Sequence, residues 1–307
     1  MLLRHALVLT LVACGGKDLP LLPDTGAAAA AGPNGPTAPL AALSDGECPD
    51  MSGTSRFSSG GLKRRVRIVT PKDAPPGLPV VFGFHGLVPT GFDAIGDIVD
   101  GFDLKSLADE LGVVFVVPEA RELEFPGFGS LLLWGILDDT EPDLVLYDDL
   151  RTCLSRDLDV DLERMSVWGF SGGALWTSVI ALERADTLAS FVEFSGGSSF
   201  TVPLLGGPYI PYATPPHLPP ALLVSGGDND VWPDTTFTVI DFEDASDSLA
   251  RSLANDGAVV ARCHHQLGHT IPSNLWDLGV EWLVSHSFTG DSPWADGAAL
   301  ADDCELL

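Results

Sequence analysis

Short apolar runs alternate along the chain with segments whose apolar residues recur at helical spacing. Residues 79–84 and 113–117 are almost continuously apolar and rich in Val and Phe, which is typical of strands buried on both faces of a sheet. Between them, residues 102–111 place their apolar side chains on one face of a helix. This alternation predicts an α/β fold with a mostly parallel sheet.

The same alternation continues towards the C-terminus. The further predicted strands are 164–169, 188–194, 221–225 and 258–263, and the further predicted helices are 143–157, 173–183, 241–255 and 271–285. Two connections, 118–142 and 196–220, are much longer than the usual ~4–6 residues, and such loops reach the carboxyl edge of an α/β sheet, where ligands bind. We expect one domain over residues 47–290, followed by a tail over residues 291–307.

The N-terminal segment is not expected to belong to the folded domain. Residues 1–13 combine a basic start with a short apolar run, which predicts a signal peptide too short to span a bilayer. The tetrapeptide LVAC that ends at Cys14 resembles a bacterial lipobox, so Cys14 is the expected lipid anchor. The alternative is an ordinary signal peptide with an incidental cysteine. Residues 14–46 are rich in Gly, Pro and Ala, which predicts a flexible tether.

Four further cysteines lie beyond the expected anchor: Cys48, Cys153, Cys263 and Cys304. An even number in an exported protein predicts two disulfides, and four cysteines allow three connectivities. We favour Cys48–Cys153 and Cys263–Cys304, because the second bridge would tie the tail to a late strand. The expected location is the cell envelope, with the membrane contacted only through the lipid anchor.

The chain is strongly acidic, with 43 acidic and 16 basic residues and a net charge of −27. Nucleic acids and anionic membrane surfaces need clustered Lys and Arg, so neither is an expected partner. The one basic cluster, residues 63–67, reads as the solvated face of a strand. The expected partner is a neutral substrate, and the expected state is a monomer.

The pentapeptide GFSGG over residues 169–173 lies between a predicted strand and a predicted helix. A serine at this position occupies a tight turn that projects its hydroxyl from the sheet, which predicts Ser171 as a nucleophile. The following helix favours an oxyanion near the N–H of Gly172, and the loop after the first buried strand offers a second N–H, from Gly86 or Leu87. The alternative is a purely structural turn, because Gly-x-Ser-x-Gly often arises by chance.

Two aspartates follow the strand at 221–225 and compete as the acid. We favour Asp230 over Asp228, because the preceding glycines hold Asp228 tight against the turn. The alternative is a solvated acidic turn, since turns commonly contain Asp and Asn. A calcium loop of the EF-hand type is disfavoured, because Pro233 stands where that loop needs glycine.

The base is expected last in the chain. His269 lies between the final predicted strand and the final helix, whereas His264 and His265 lie nearer the strand end and are candidates for structural roles. A metal pair of His265 and His269 lacks an accompanying Glu, so no metal site is expected. The order Ser171, Asp230, His269 is that of α/β-hydrolases.

These motifs, together with FHG at residues 84–86 and GHTIP at residues 268–272, resemble the polyhydroxybutyrate depolymerase and feruloyl esterase group of α/β-hydrolases. The resemblance covers about residues 65–285, whereas Gly172 and Ser225 depart from the group's usual residues. It implies an eight-stranded, mostly parallel sheet with helices on both faces, a triad that needs no cofactor, and hydrolysis of carboxylic esters.

The sequence thus predicts a serine hydrolase that cleaves a neutral ester, polyester or feruloyl-type substrate through an acyl-enzyme. His85, Trp134 and Trp232, with Phe128, are candidate substrate contacts, and core packing is the alternative for the aromatic residues. Three other functions stay open: a peptidase of the same fold, a non-catalytic binding lipoprotein on this scaffold, and a structural surface lipoprotein.

Overall fold

The computed structural model describes residues 36, 38–125, 129–137, 139–202, 206–233, 238–297 and 300–307. Within this part of the chain the strands are β1 (Gly53–Ser59), β2 (Leu62–Val69), β3 (Val80–Phe84), β4 (Val88–Pro89), β5 (Val114–Pro118), β6 (Arg121–Phe125), β7 (Gly129–Leu133), β8 (Met165–Phe170), β9 (Ser190–Phe194), β10 (Phe200–Val202), β11 (Gly206–Tyr209), β12 (Ala221–Ser225), β13 (Val231–Trp232), β14 (Ile240–Asp241), β15 (Val260–His264) and β16 (Cys304–Leu306). The helices are α1 (Ala94–Gly101), α2 (Leu104–Leu111), α3 (Glu141–Leu158), α4 (Gly172–Glu183), α5 (Phe242–Asn255) and α6 (Ser273–Ser285), with 3₁₀ turns at Leu162–Arg164 and Ala185–Thr187.

A central sheet organises these elements in the order β1-β2-β5-β3-β8-β9-β12-β15-β16. The strands from β5 to β15 in this order run parallel to one another, while β1, β2 and β16 add antiparallel edges. Apolar clusters cover both faces, because α3, α4 and α5 bury their apolar sides on one face and α1, α2 and α6 do so on the other. The predicted α/β architecture is confirmed.

The expected number of strands was wrong, because the sheet has nine among the described residues instead of eight. The C-terminal tail, which the sequence separates as residues 291–307, supplies β16 alongside β15. Trp294 of the same tail is buried and donates its indole N–H to Ser285 Oγ at 2.8 Å. The tail is therefore part of the domain.

The long connection after β5 also holds structure that its irregular sequence did not reveal. Strands β6 and β7 form a hairpin there, and β7 pairs with the short β4. Because β4 begins at Val88, this small sheet is fixed directly to the loop that leaves β3. The connection thus builds one side of the carboxyl edge.

The basic cluster was placed wrongly in one respect. Residues 63–67 do lie in a strand, β2, but the Arg64 side chain is buried beside Val66 instead of solvated. There it forms an ion pair with the buried carboxylate of Asp143 on α3. A buried counter-charge and hydrogen bonds make an arginine compatible with an interior face.

Both predicted disulfides are present, Cys48–Cys153 and Cys263–Cys304. The signal peptide, Cys14 and most of the expected tether lie outside the described residues. The end of the tether nevertheless packs on α3: the Ser44 backbone N–H donates to Asp149 Oδ1 at 3.0 Å, and Arg151 donates to the Ala38 carbonyl at 3.0 Å. None of the described helices has the length and apolar character needed to cross a bilayer.

Candidate active site

Ser171 sits in a strained turn between β8 and α4. Its backbone has φ 58° and ψ −124°, a conformation that is uncommon for a residue other than glycine and that often marks a functional position. The turn depends on two glycines: a Cβ on Gly169 would overlap the Gly173 carbonyl, and a Cβ on Gly173 would overlap the Phe84 carbonyl. The local sequence is therefore required for the sharp turn that exposes the Ser171 hydroxyl.

The structure brings the three predicted triad residues together. His269 Nε2 lies 2.9 Å from Ser171 Oγ, and His269 Nδ1 lies 2.7 Å from Asp230 Oδ1. Each residue follows the carboxyl end of a parallel strand, namely β8, β12 and β15. Asp230 is fully buried and faces His269, whereas the competing Asp228 is exposed.

The second carboxylate oxygen of Asp230 is also held. Ser195 Oγ donates to Asp230 Oδ2 at 2.9 Å, and the Gly226 backbone N–H donates to the same oxygen at 2.8 Å. Ser195 directly follows β9, at the same edge as the other site residues, but sequence reasoning did not identify it. Its position after a central strand was the available signal.

The loop after β3 places a backbone amide beside the nucleophile. A Cβ built on Gly172 would lie 3.2 Å from Leu87 N, so the Leu87 amide is next to the first residue of α4. The Gly86 carbonyl oxygen lies 2.6 Å from His85 Nδ1. Because the C=O and N–H of a trans peptide point in opposite directions, this bond turns the Leu87 N–H away from His85. The Leu87 amide therefore lies beside Gly172 with its N–H directed away from His85.

The prediction of His85 and Trp134 as substrate contacts requires a correction, because both side chains are buried and support the loop after β3. His85 Nε2 accepts the Ala120 N–H at 2.9 Å, and burial lowers the pKa of His85 to about 4, so the ring is neutral and carries its proton on Nδ1. Trp134 Nε1 donates to the His85 carbonyl at 2.9 Å. Trp232 is half-buried in β13, next to Asp230, and stays a predicted substrate contact. Phe128 lies outside the described residues.

Two aromatic rings lie against the His269 imidazole. The Phe170 and Phe242 ring centroids are each 4.7 Å from the imidazole centroid, with interplanar angles of 30° and 19°. Phe170 directly precedes Ser171, and the Phe242 N–H donates to the Asp230 carbonyl at 2.9 Å. The Phe170 ring is thus on the residue before the nucleophile, and the Phe242 ring is on the first residue of α5, whose backbone is bonded to that of Asp230.

The neighbouring histidines, His264 and His265, make other contacts. His264 Nδ1 lies 3.0 Å from Glu243 Oε1, and His265 Nδ1 accepts the Leu267 N–H at 3.2 Å. Burial lowers the pKa of His265, which favours its neutral form. Over the described residues, no set of three or more His, Cys, Asp or Glu side chains has the arrangement of a metal site.

A buried acid lies beneath the nucleophile turn. Glu193 on β9 is fully buried, accepts the Ser178 hydroxyl at 2.6 Å, and has its other oxygen close to Gly196. Burial raises the pKa of Glu193 to about 8, because the charged form loses its hydration there. Sequence reasoning passed over Glu193, since one acidic residue in an apolar strand carries no pattern.

No protein-family model matches the chain, and no curated protein matches its sequence. Solved structures do match: native sOPH superposes with a TM-score of 0.66 and 19% identity, over 87% of this chain and 96% of its own. An S-formylglutathione hydrolase from Agrobacterium tumefaciens superposes with a TM-score of 0.56 and 15% identity, over 76% of this chain and 93% of its own. EstE1, a thermophilic carboxylesterase cloned from a metagenomic library, superposes with a TM-score of 0.53 and 17% identity, over 78% of this chain and 90% of its own. The protein has the α/β-hydrolase fold.

Proposed function

We propose that the protein is a serine hydrolase that cleaves neutral carboxylic esters through an acyl-enzyme. One observation carries the proposal: an unbroken hydrogen-bond chain runs from Ser171 through His269 to the buried Asp230. A hydroxyl is a weak nucleophile by itself, and an adjacent imidazole oriented by a carboxylate is the arrangement that activates it.

The reaction follows from this geometry. His269 Nε2 accepts the Ser171 proton as Oγ attacks the ester carbonyl, and the resulting imidazolium is stabilised by Asp230. In this proposal the N–H groups of Gly172 and Leu87 receive the oxyanion, and the closeness of Leu87 N to Gly172 supports that role. His269 then protonates the leaving alcohol, and water, deprotonated by His269, hydrolyses the acyl-enzyme to release the acid.

Three further observations support the proposal, two concerning the substrate and one concerning export. Structures with the same fold include a carboxylesterase and an S-formylglutathione hydrolase, although their low identity transfers the fold and not the substrate. Disulfides persist in oxidising compartments, which agrees with export. The strongly negative charge of the chain favours an uncharged substrate over a polyanion.

Labelling with a fluorophosphonate tests the proposal directly. We expect one adduct, mapped by mass spectrometry to Ser171, and turnover of p-nitrophenyl esters that falls by at least about 10³-fold in Ser171→Ala. Ser199→Ala, in a loop at the same edge, is the matched control and should keep wild-type activity.

Three outcomes would contradict the proposal. Absence of an adduct on folded protein would favour a binding or structural lipoprotein. Unchanged ester turnover in Ser171→Ala would exclude Ser171 as the nucleophile. Faster hydrolysis of peptide p-nitroanilides than of esters would favour the peptidase function.

A further inference from the structure

Ser195 occupies a strained and fully enclosed position at the end of β9. The residue is buried, and its backbone adopts the left-handed region with φ 56°, which is costly for a residue other than glycine. Its N–H donates to the Val224 carbonyl at 2.8 Å, so the backbone is fixed between β9 and β12. From there the hydroxyl reaches Asp230 Oδ2 at 2.9 Å.

This contact matters because Asp230 has no exposed surface from which water could replace a missing donor. Hydrogen bonds to a buried carboxylate are stronger than neutral ones, and they fix its orientation as well as its charge. Oδ1 faces His269, while Oδ2 is held by Ser195 and the Gly226 N–H. The two hydrogen bonds to Oδ2 therefore fix the plane of the carboxylate, and through Oδ1 they fix the orientation of the His269 ring.

We propose that Ser195 is a positioning residue that extends the Ser171–His269–Asp230 chain to a fourth side chain. The inference rests on the proposed hydrolase function. Ser195 acts through Asp230 and does not contact substrate, so its loss should lower kcat and leave KM unchanged. Its donated hydrogen bond also withdraws negative charge from the carboxylate that faces the imidazole.

Other ionisable groups lie on the elements that carry or adjoin this hydrogen-bond chain and contribute to the background of its pH dependence. They are His264 at the end of β15 and His265 after it, Glu243 and Asp241 at the start of α5, Asp228 in the turn after β12, and Glu193 on β9. The charge of His265 interacts with that of Asp230. The same groups are present in the wild type and in the Ser195 variants, so the comparison between them isolates the loss of the Ser195 hydroxyl.

The experiment compares kcat, KM and the pH profile of ester hydrolysis in the wild type and in Ser195→Ala. We expect kcat to fall about 10-fold, the effect of losing one hydrogen bond to a charged group. Without the Ser195 hydrogen bond, the Asp230 carboxylate keeps more negative charge to stabilise the His269 imidazolium. The acid limb of the profile should therefore move up by about 0.5 pH unit. Ser199→Ala is the control, because Ser199 has a similar left-handed backbone (φ 59°) but accepts the Tyr212 N–H.

A second hydroxyl-free variant keeps the test decisive if Ser195→Ala does not fold. Ser195→Gly removes the same hydroxyl and adopts positive φ without strain, so it should fold and show the same loss of kcat and the same shift. An unmoved acid limb with kcat within about twofold of the active wild type, less than one charged hydrogen bond is worth, overturns the role of Ser195. An inactive, unlabelled wild type would instead overturn the proposed function.

The aromatic contacts of His269 carry an independent inference. An aromatic face within about 6 Å of a cation attracts it. The Phe242 ring is stacked on the imidazole and the Phe170 ring is tilted by 30°, both with centroids 4.7 Å from it. The geometry points to these rings as positioning residues that stabilise the imidazolium formed when His269 takes the Ser171 proton.

Replacing these rings should shift the pH profile in the direction opposite to the Ser195 variants. Phe170→Leu and Phe242→Leu should each lower kcat severalfold and move the acid limb down by about 0.5 pH unit, whereas Phe170→Tyr should keep the wild-type limb. Phe200→Leu, which removes a buried ring stacked on Tyr209, controls for lost packing. An acid limb in Phe170→Leu and Phe242→Leu that stays in place, or that moves up, overturns this inference.

Discussion

Two buried aspartates, Asp143 and Asp230, lie in different parts of the domain and have different partners. Asp143 accepts the Gly135 N–H at 2.7 Å and pairs with the buried, permanently charged guanidinium of Arg64. Asp230 accepts the Gly226 N–H and the Ser195 hydroxyl on one oxygen, and its other oxygen faces His269, whose side chain is 19% exposed. One carboxylate is thus neutralised by a fixed cation in the core, and the other by a ring that can gain and lose a proton at the surface.

The partner of a buried carboxylate therefore determines whether it has a structural or a chemical role. Burial raises the pKa of Asp143, while Arg64 opposes that rise, so the pair is costly to bury but still more costly to break. At Asp230 the buried carboxylate instead polarises the His269 imidazole, which is hydrogen-bonded to the Ser171 hydroxyl. A buried carboxylate indicates a catalytic site when its partner is a histidine that is also hydrogen-bonded to a nucleophile.

The sharpest test of this contrast is Asp230→Asn. The amide keeps the volume but removes the charge that orients and stabilises the imidazolium, so kcat should fall by about 10³–10⁴-fold. The free energy of unfolding should change far less. Steady-state ester hydrolysis and urea unfolding measure the two effects, and Asp228→Asn, an exposed neighbour, is the control. An Asp230→Asn enzyme within about tenfold of the wild type would remove the distinction, because the triad acid is worth far more than that.

Asp143→Asn should give the reverse pattern. Loss of this carboxylate leaves the Arg64 charge buried and unpaired, which should lower the free energy of unfolding by about 3 kcal/mol. Ester turnover per folded molecule should stay at the wild-type level. Urea unfolding monitored by fluorescence provides the measurement. Lys105→Met, which breaks a surface pair with Asp100, should cost less than about 0.5 kcal/mol. A comparable cost for both variants would contradict the structural role of the buried pair.

The smallest effect at neutral pH is expected for Glu193→Gln, since the protonated acid and the amide are nearly isosteric. The pKa of Glu193 is raised to about 8 in the folded state, from an ordinary value of 4.5. The folded state therefore holds a proton that the unfolded chain has released, and stability falls as pH rises from about 4.5 through about 8. Glu193→Gln should flatten this dependence, as measured by thermal unfolding across that range. An identical slope in both proteins would place the Glu193 pKa near its ordinary value.

Local sequence patterns predict much of this fold. The apolar runs at β3, β5, β8 and β12 predicted a parallel sheet, because strands buried on both faces need continuous apolar residues. The turn at Ser171 followed from its glycines, and the order of Ser171, Asp230 and His269 placed them at one sheet edge. Such features depend on neighbouring residues and on strand–helix connectivity, which the sequence carries directly.

Other features were decided only by contacts between distant segments. Ser195 reaches Asp230 across 35 positions, Arg64 finds Asp143 across 79, and the tail adds a ninth strand beside β15. His85 and Trp134 became supports of a backbone loop because packing buried them. Hydrogen bonds and ion pairs depend on distance in space, and a side chain that finds its partner through packing leaves no periodic trace along the chain.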